Sequence, residues 1–174
     1  MGGFRQTPSS DTYRLNILEQ TIKTITLSSD ELHLAQFVGG LRTLIARGNN
    51  VRDAKMGDQD GLDADKVAFI AEYAYAKHFN VFPDFGLSPR SGSADGITNG
   101  KRYDVKATRR ENGRLLATLK DNPDVDYYVL AIVCEPVVKL VGWAWKRDLF
   151  REENIIDLGH GNGYGLTQDK LRQF

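Results

Sequence analysis

Cysteine is nearly absent: Cys134 is the only one in 174 residues. No internal disulfide can form, which suits a reducing compartment and makes the cytoplasm the expected location. Cys134 stands in an apolar run and is expected to be a small buried hydrophobe. Histidine is scarce as well. His33, His78 and His160 are scattered, and with a single cysteine they give no zinc spacing. Long hydrophobic runs are missing too. The longest, Tyr127 to Cys134, is too short to cross a bilayer, so no membrane partner is expected. No apolar segment following a basic one opens the chain, so no signal peptide is expected. Neither sign of charge is in excess, with 23 basic and 23 acidic residues. That excludes a global field pulling in nucleic acid or membrane, though a local patch can still carry a contact. No repeat or low-complexity tract divides the chain. A single domain over residues 1–174 is expected, with residues 1–10 as a loose arm.

What is present is an ordinary globular composition, 41% hydrophobic and 26% charged, in a chain long enough to bury a core. Thr21 to Leu27 alternates β-branched and polar residues and predicts a strand. Ser28 followed by Glu31 makes a capping box. It predicts a helix to about Arg47, capped by Gly48, with an apolar stripe of Leu34, Phe37, Val38, Leu41, Leu44 and Ile45. Gly39-Gly40 inside it costs helix propensity and implies a close packing contact or a bend. Asn49 to Asp63 reads as a polar loop. Its aspartates Asp53, Asp58, Asp60 and Asp63 miss the calcium-loop pattern, which needs a glycine where Asp63 stands. A second helix is expected from about Asp63 to His78, with Val67, Ile70, Ala71, Ala74 and His78 on one stripe. Glu72 lies among the small neighbours Ala68, Ala71 and Ala76, which let a helix lie close to a sheet. Asn80 to Arg90 is a proline-bearing linker.

Downstream the pattern changes to strands. Arg114 to Leu119 predicts one; Asp121 to Asp124 marks a turn. Val125 to Cys134 is apolar enough for a central strand, and Val137 to Trp145 predicts the next. Lys146 to Glu153 reads as a short helical turn, Ile155 to Leu158 as a short apolar segment, and Thr167 opens a last helical turn. The glycine-rich stretch Gly159 to Gly165 has Tyr164 where a dinucleotide fingerprint needs glycine and no following Lys-Ser/Thr, so it predicts a flexible loop. This order predicts an α/β (α+β) fold, a mixed central sheet flanked by helices.

The chemistry gathers in Ser93 to Thr108. Asn99-Gly100 is a strong signal for a type I′ hairpin turn, because both residues tolerate φ > 0. Pairing outward sets Thr98 opposite Lys101, Ile97 opposite Arg102, Gly96 opposite Tyr103 and Asp95 opposite Asp104. Alternation puts Lys106 on the face of Asp104. Two like charges across a strand pair are destabilising, and a divalent cation is the simplest group to offset them. The literal Pro83-Asp84 also precedes Asp104, but Asp84 falls outside the hairpin register and reads as a turn residue.

Glu72 on a helix, then Asp95, then Asp104-Val105-Lys106 resembles the PD-(D/E)XK nuclease superfamily over roughly residues 63–145. The resemblance implies a restriction-endonuclease-like core and hydrolysis of phosphodiester bonds, most of all in DNA, with Mg²⁺ or Mn²⁺. It implies Asp95 and Asp104 as metal ligands, completed by the Val105 carbonyl. Lys106 positions or deprotonates the attacking water, and Glu72 holds a metal-bound water or a second ion. Such nucleases often act as dimers, so a homodimer is among the assemblies to test. Oxygen ligands without histidine suit a hard cation that keeps several waters. Between Lys101 and Lys120 seven basic residues stand against two acidic ones. Lys101, Arg102, Arg109 and Arg110 among them are expected to contact phosphates. The alternative is a catalytically silent protein on the same fold, binding nucleic acid or serving assembly. Trp143 and Trp145 share one face, for packing or for base stacking.

Overall fold

The computed structural model describes residues 22–49, 61–87, 93–120, 122–159 and 161–174. The N-terminal arm, most of the expected 49–63 loop, the end of the 80–90 linker, Asp121 and His160 lie outside them. The elements are β1 (Lys23–Thr26), α1 (Ser29–Gly48), α2 (Gly61–Phe79), β2 (Gly96–Thr98), β3 (Lys101–Thr108), β4 (Leu115–Thr118), β5 (Tyr127–Cys134), β6 (Val137–Trp145), α3 (Lys146–Leu149), β7 (Ile155–Asp157) and β8 (Asn162–Leu166). Short 3₁₀ turns at Glu152–Asn154 and Gln168–Lys170 complete them. The result is the mixed α/β architecture expected.

The main sheet runs β1-β6-β5-β3-β2, and only the β3–β5 pair is parallel. β5 lies at its centre and is buried along its length except at Cys134. One face packs on α1 and α2 through Phe69, Ile70, Ala74, Tyr75, Val105, Val129 and Leu140. The other face packs on a second sheet, β4-β8-β7, and on α3 through Leu115, Tyr128, Leu130, Ile132 and Leu149. The expected flanking helices therefore cover mainly one face, and a three-stranded sheet covers much of the other. Among the described residues no helix is long and apolar enough to cross a membrane.

Several local expectations are corrected. Cys134 is exposed, because β5 ends there at the Glu135-Pro136 turn rather than continuing into the core. The 159–165 stretch is not all loop: Asn162–Leu166 forms β8 between β4 and β7. Gly163 and Gly165 lie on one face of that strand, where a Cβ would come within 2.5 Å of Leu158 and 2.3 Å of Ile156. Their smallness lets neighbouring side chains close over the strand. His78, expected on the buried stripe of α2, is exposed at its last turn, while Val67, Ile70, Ala71 and Ala74 are buried.

The stripe of α1 is also turned. The capping box forms as expected, with Glu31 Oε2 accepting from the Ser28 N–H at 2.7 Å and Ser28 Oγ accepting from the Glu31 N–H at 3.2 Å. The helix takes in Gly48 and is capped by Asn49. Yet Ala35, Val38, Gly39 and Thr43 are its buried residues, while Leu34, Phe37 and Leu44 are 43%, 65% and 61% exposed. The cause is a close helix crossing at Gly39. A Cβ there would stand 2.7 Å from Lys66 Cα and 2.8 Å from the Asp65 carbonyl oxygen, both backbone atoms of α2. Gly39→Ala is therefore expected to destabilise the fold by about 1–3 kcal/mol despite better helix propensity. Gly40→Ala, whose Cβ meets nothing closer than 3.6 Å, is expected to stabilise it by about 0.5–1 kcal/mol. Urea midpoints of the two variants, moving in opposite directions, check this.

Candidate active site

β2 and β3 form the hairpin in the register the sequence predicts: Gly96 opposite Tyr103, Ile97 opposite Arg102, Thr98 opposite Lys101. Asn99 and Gly100 both have positive φ, 52° and 72°. The ladder ends at Gly96, and Asp95 lies one residue beyond it. Its N–H donates to the Tyr103 carbonyl at 2.8 Å. Its Oδ2 accepts from the Val105 N–H at 2.7 Å. Along a strand the N–H and C=O of one residue point to the same edge. The Val105 carbonyl therefore also points to the edge that Asp95 occupies, where β2 has stopped.

Asp104 is buried on the opposite face of β3 from Tyr103 and Val105, by strand alternation. Lys106 Nζ reaches Asp104 Oδ1 at 2.7 Å and Oδ2 at 2.9 Å. It also lies over the Tyr128 ring at 5.8 Å. α2 supplies Glu72, held by Arg42 of α1 at 2.8 Å. Arg42 in turn donates to the carbonyls of Asp84 and Gly86 and stacks over the Phe69 ring at 4.4 Å. Asp84 itself accepts the Gly86 N–H on Oδ1, the turn role expected of it.

The four predicted residues share one electrostatic environment. Burial, then the charges of Glu72 and Asp104, push the Asp95 carboxyl well above its ordinary range, against the Val105 N–H and Lys106. Burial also raises Glu72, although Arg42 opposes it, and Asp104 adds to the rise. Burial pulls Lys106 down, but the carboxylates of Asp104, Asp95 and Glu72 together hold it above the usual lysine value. Lys106 is thus a protonated ammonium here. Glu72 and Asp104 each have an ion-pair partner, whereas the Asp95 carboxylate accepts only the Val105 N–H among the described residues and feels Lys106 without pairing with it. A buried carboxyl near two others and without an ion pair of its own is a place that favours a cation.

No family model, no curated protein and no solved structure matches this chain. What the site can do therefore follows from its own groups. Among the described residues, no three histidine, cysteine, aspartate or glutamate side chains are arranged to hold a metal ion as they stand. Asp104 is engaged by Lys106 and Glu72 by Arg42. The donor set that remains to a cation is oxygen only, from Asp95, Asp104 and the Val105 carbonyl, which fits Mg²⁺ or Mn²⁺ better than a softer metal.

The expected phosphate contacts are not brought together as one patch. Lys101 and Arg102 flank the hairpin tip, and Arg109 lies beyond the other end of β3, about 25 Å away by strand rise. Arg102 pairs with Asp124 at 2.9 Å and Asp126 at 3.7 Å. Arg109 pairs with Asp63 at 3.1 Å and Glu135 at 2.7 Å, tying α2 to the β5–β6 turn. Lys101 and Arg110 are exposed. Asp104 and Lys106 sit between these two basic ends. Arg42 escapes sequence reasoning, because nothing in α1 marks which acid thirty residues on it will meet.

Proposed function

We propose that the chain is a metal-dependent nuclease that hydrolyses phosphodiester bonds in DNA. The observation that carries this reading is the surplus of buried carboxylate at the β2–β3 hairpin. Asp95 makes no ion pair among the described residues, and Asp104 has a lysine two residues on. Mg²⁺ or Mn²⁺ bound there would lower the pKa of its water and neutralise charge on the phosphoryl oxygens. In this reading Asp95, Asp104 and the Val105 carbonyl would hold the ion, and Lys106 would give up its pairing with Asp104. The ammonium would then be free to orient the attacking water and to offset charge on the phosphate. Glu72, kept in place by Arg42, orients water from the helix side. Lys101, Arg102, Arg109 and Arg110 supply phosphate contacts at the two ends of β3.

A second reading has its own support. The Lys106–Asp104 and Arg42–Glu72 pairs neutralise two of the three carboxylates without any metal, as a catalytically silent nucleic-acid-binding or assembly protein would need. Incubation of supercoiled plasmid, linear duplex and branched DNA with Mg²⁺ or Mn²⁺ separates the two. Cleavage of at least one substrate, abolished by EDTA, is the expected result. Tight DNA binding without cleavage of any of them favours the silent protein.

A further inference from the structure

A cavity of about 300 Å³ opens beside the hairpin tip, apart from the carboxylate site. Its walls are aromatic: Tyr75 of α2, Tyr127 of β5, Trp143 and Trp145 of β6, and Phe174. The C-terminal strand segment fixes one wall. Trp143 and Arg172 exchange backbone hydrogen bonds at 2.9 and 2.8 Å, and Trp143 Nε1 donates to the Gln173 carbonyl at 3.1 Å. Trp143 and Trp145 meet edge to face, centroids 5.0 Å apart, and both remain half-exposed. Lys101 stands at the rim.

Three hydroxyls line this cavity. Tyr75 and Tyr127 share one hydrogen bond of 2.7 Å, which uses one proton of the pair. Thr98 Oγ1 is buried and makes no hydrogen bond of good geometry, although the two tyrosine hydroxyls stand close enough to interact with it. An orphaned buried hydroxyl costs free energy, and it is found here in the lining of an open aromatic cavity. Planar faces for stacking, with a spare donor and acceptor beside them, suit a small heteroaromatic ring that has polar edges. The volume is at the low end for small-molecule sites, enough for one such ring system.

We propose that this cavity receives a single unpaired nucleobase, stacked on one tryptophan and edge-on to the other, with its own edge on the Thr98, Tyr75 and Tyr127 hydroxyls. Lys101 contacts the adjoining phosphate. The choice of a nucleobase rests on the nuclease reading. Lys101 lies three residues from Asp104 on β3, about 10 Å along the strand and, by alternation, on its other face, so one nucleic-acid strand reaches both by passing over the β2 edge of the sheet. A base inside a duplex cannot reach such a pocket, so the substrate carries unpaired nucleotides, in a single strand, a flap or a branch.

Trp143 and Trp145 are the only tryptophans of the chain, so intrinsic emission reports on this cavity alone. In EDTA, the full chain is titrated with a short single-stranded oligonucleotide and with an abasic strand of equal length. The intact strand is expected to quench emission and to bind about tenfold or more tighter than the abasic one. Equal affinity for the two strands, or binding without quenching, overturns the proposal. Thr98→Val provides the second readout. It is expected to raise the urea midpoint, by removing an orphaned hydroxyl, while weakening oligonucleotide binding about three- to tenfold. A merely structural threonine moves stability alone, and unchanged binding would count against the base site. Because no metal is present, the two readings fail separately. Metal-dependent cleavage without quenching removes the base pocket and leaves the nuclease. Quenching without cleavage of any substrate does the reverse.

Discussion

Asp104→Asn is expected to lower Mg²⁺-dependent DNA cleavage by about a thousandfold or more while leaving the fold intact. The substitution keeps the shape of the side chain and removes the charge that a cation needs. A metal ion supplies several kcal/mol of transition-state stabilisation, and about 4 kcal/mol corresponds to a thousandfold in rate. The folding cost is expected to stay within about 1 kcal/mol, because Lys106 is 35% exposed and can turn its ammonium to water once Asp104 is neutral. Lys106→Met is expected to reduce cleavage comparably but to leave metal affinity unchanged or slightly higher, since it removes the group competing for Asp104. Single-turnover cleavage rates and thermal midpoints, measured on the same preparations, check both. Cleavage by Asp104→Asn within tenfold of the unmodified chain would place the chemistry elsewhere.

The second large effect is on stability. Arg42→Ala is expected to cost about 3 kcal/mol. Arg42 and Glu72 have side chains only 21% and 12% exposed, so removing the guanidinium leaves a buried carboxylate beside Asp95 and Asp104 with no partner. Breaking a buried pair from one side costs roughly 3–5 kcal/mol, and partial exposure here argues for the lower end. The loss also includes the hydrogen bonds to the carbonyls of the 84–86 turn and the stacking over Phe69. Adding Glu72→Gln to Arg42→Ala should recover at least about 1 kcal/mol, because a neutral amide no longer needs the counter-charge. Urea unfolding of the two single variants and the double variant gives the coupling. Additive losses would mean that Arg42 acts through the turn and Phe69, not through Glu72.

The hairpin was legible because its determinants are local. Asn99-Gly100 dictates the turn, the turn dictates the register, and the register puts Asp95 next to β3. The capping box of Ser28 and Glu31 and the limits of β6 at Val137 and Trp145 were legible for the same reason. α1 was not. Periodicity says which residues share a face, and the buried face is chosen by Gly39, whose missing side chain brings two helix backbones together. Leu34, Phe37 and Leu44 are left outside as a consequence. β8 was hidden because glycine at positions 163 and 165 imitates a loop, while the packing of Leu158 and Ile156 over them is a tertiary fact. At the site, the charges of Glu72, Asp95, Asp104 and Lys106 influence one another, yet among the described residues no three acidic side chains are set to hold a metal ion. The pairing of Glu72 with Arg42, and the engagement of Arg102 and Arg109 by carboxylates, depended on contacts between distant segments.

The most direct test of the site is a crystal grown in Mn²⁺ and measured at the manganese edge. The expected result is an anomalous peak about 2.1 Å from carboxylate oxygens of Asp95 and Asp104 and from the Val105 carbonyl, with Lys106 Nζ withdrawn from Asp104. Saturating Mn²⁺ with no peak there, and the Lys106–Asp104 pair still closed at 2.7 Å, would contradict the metal-dependent account.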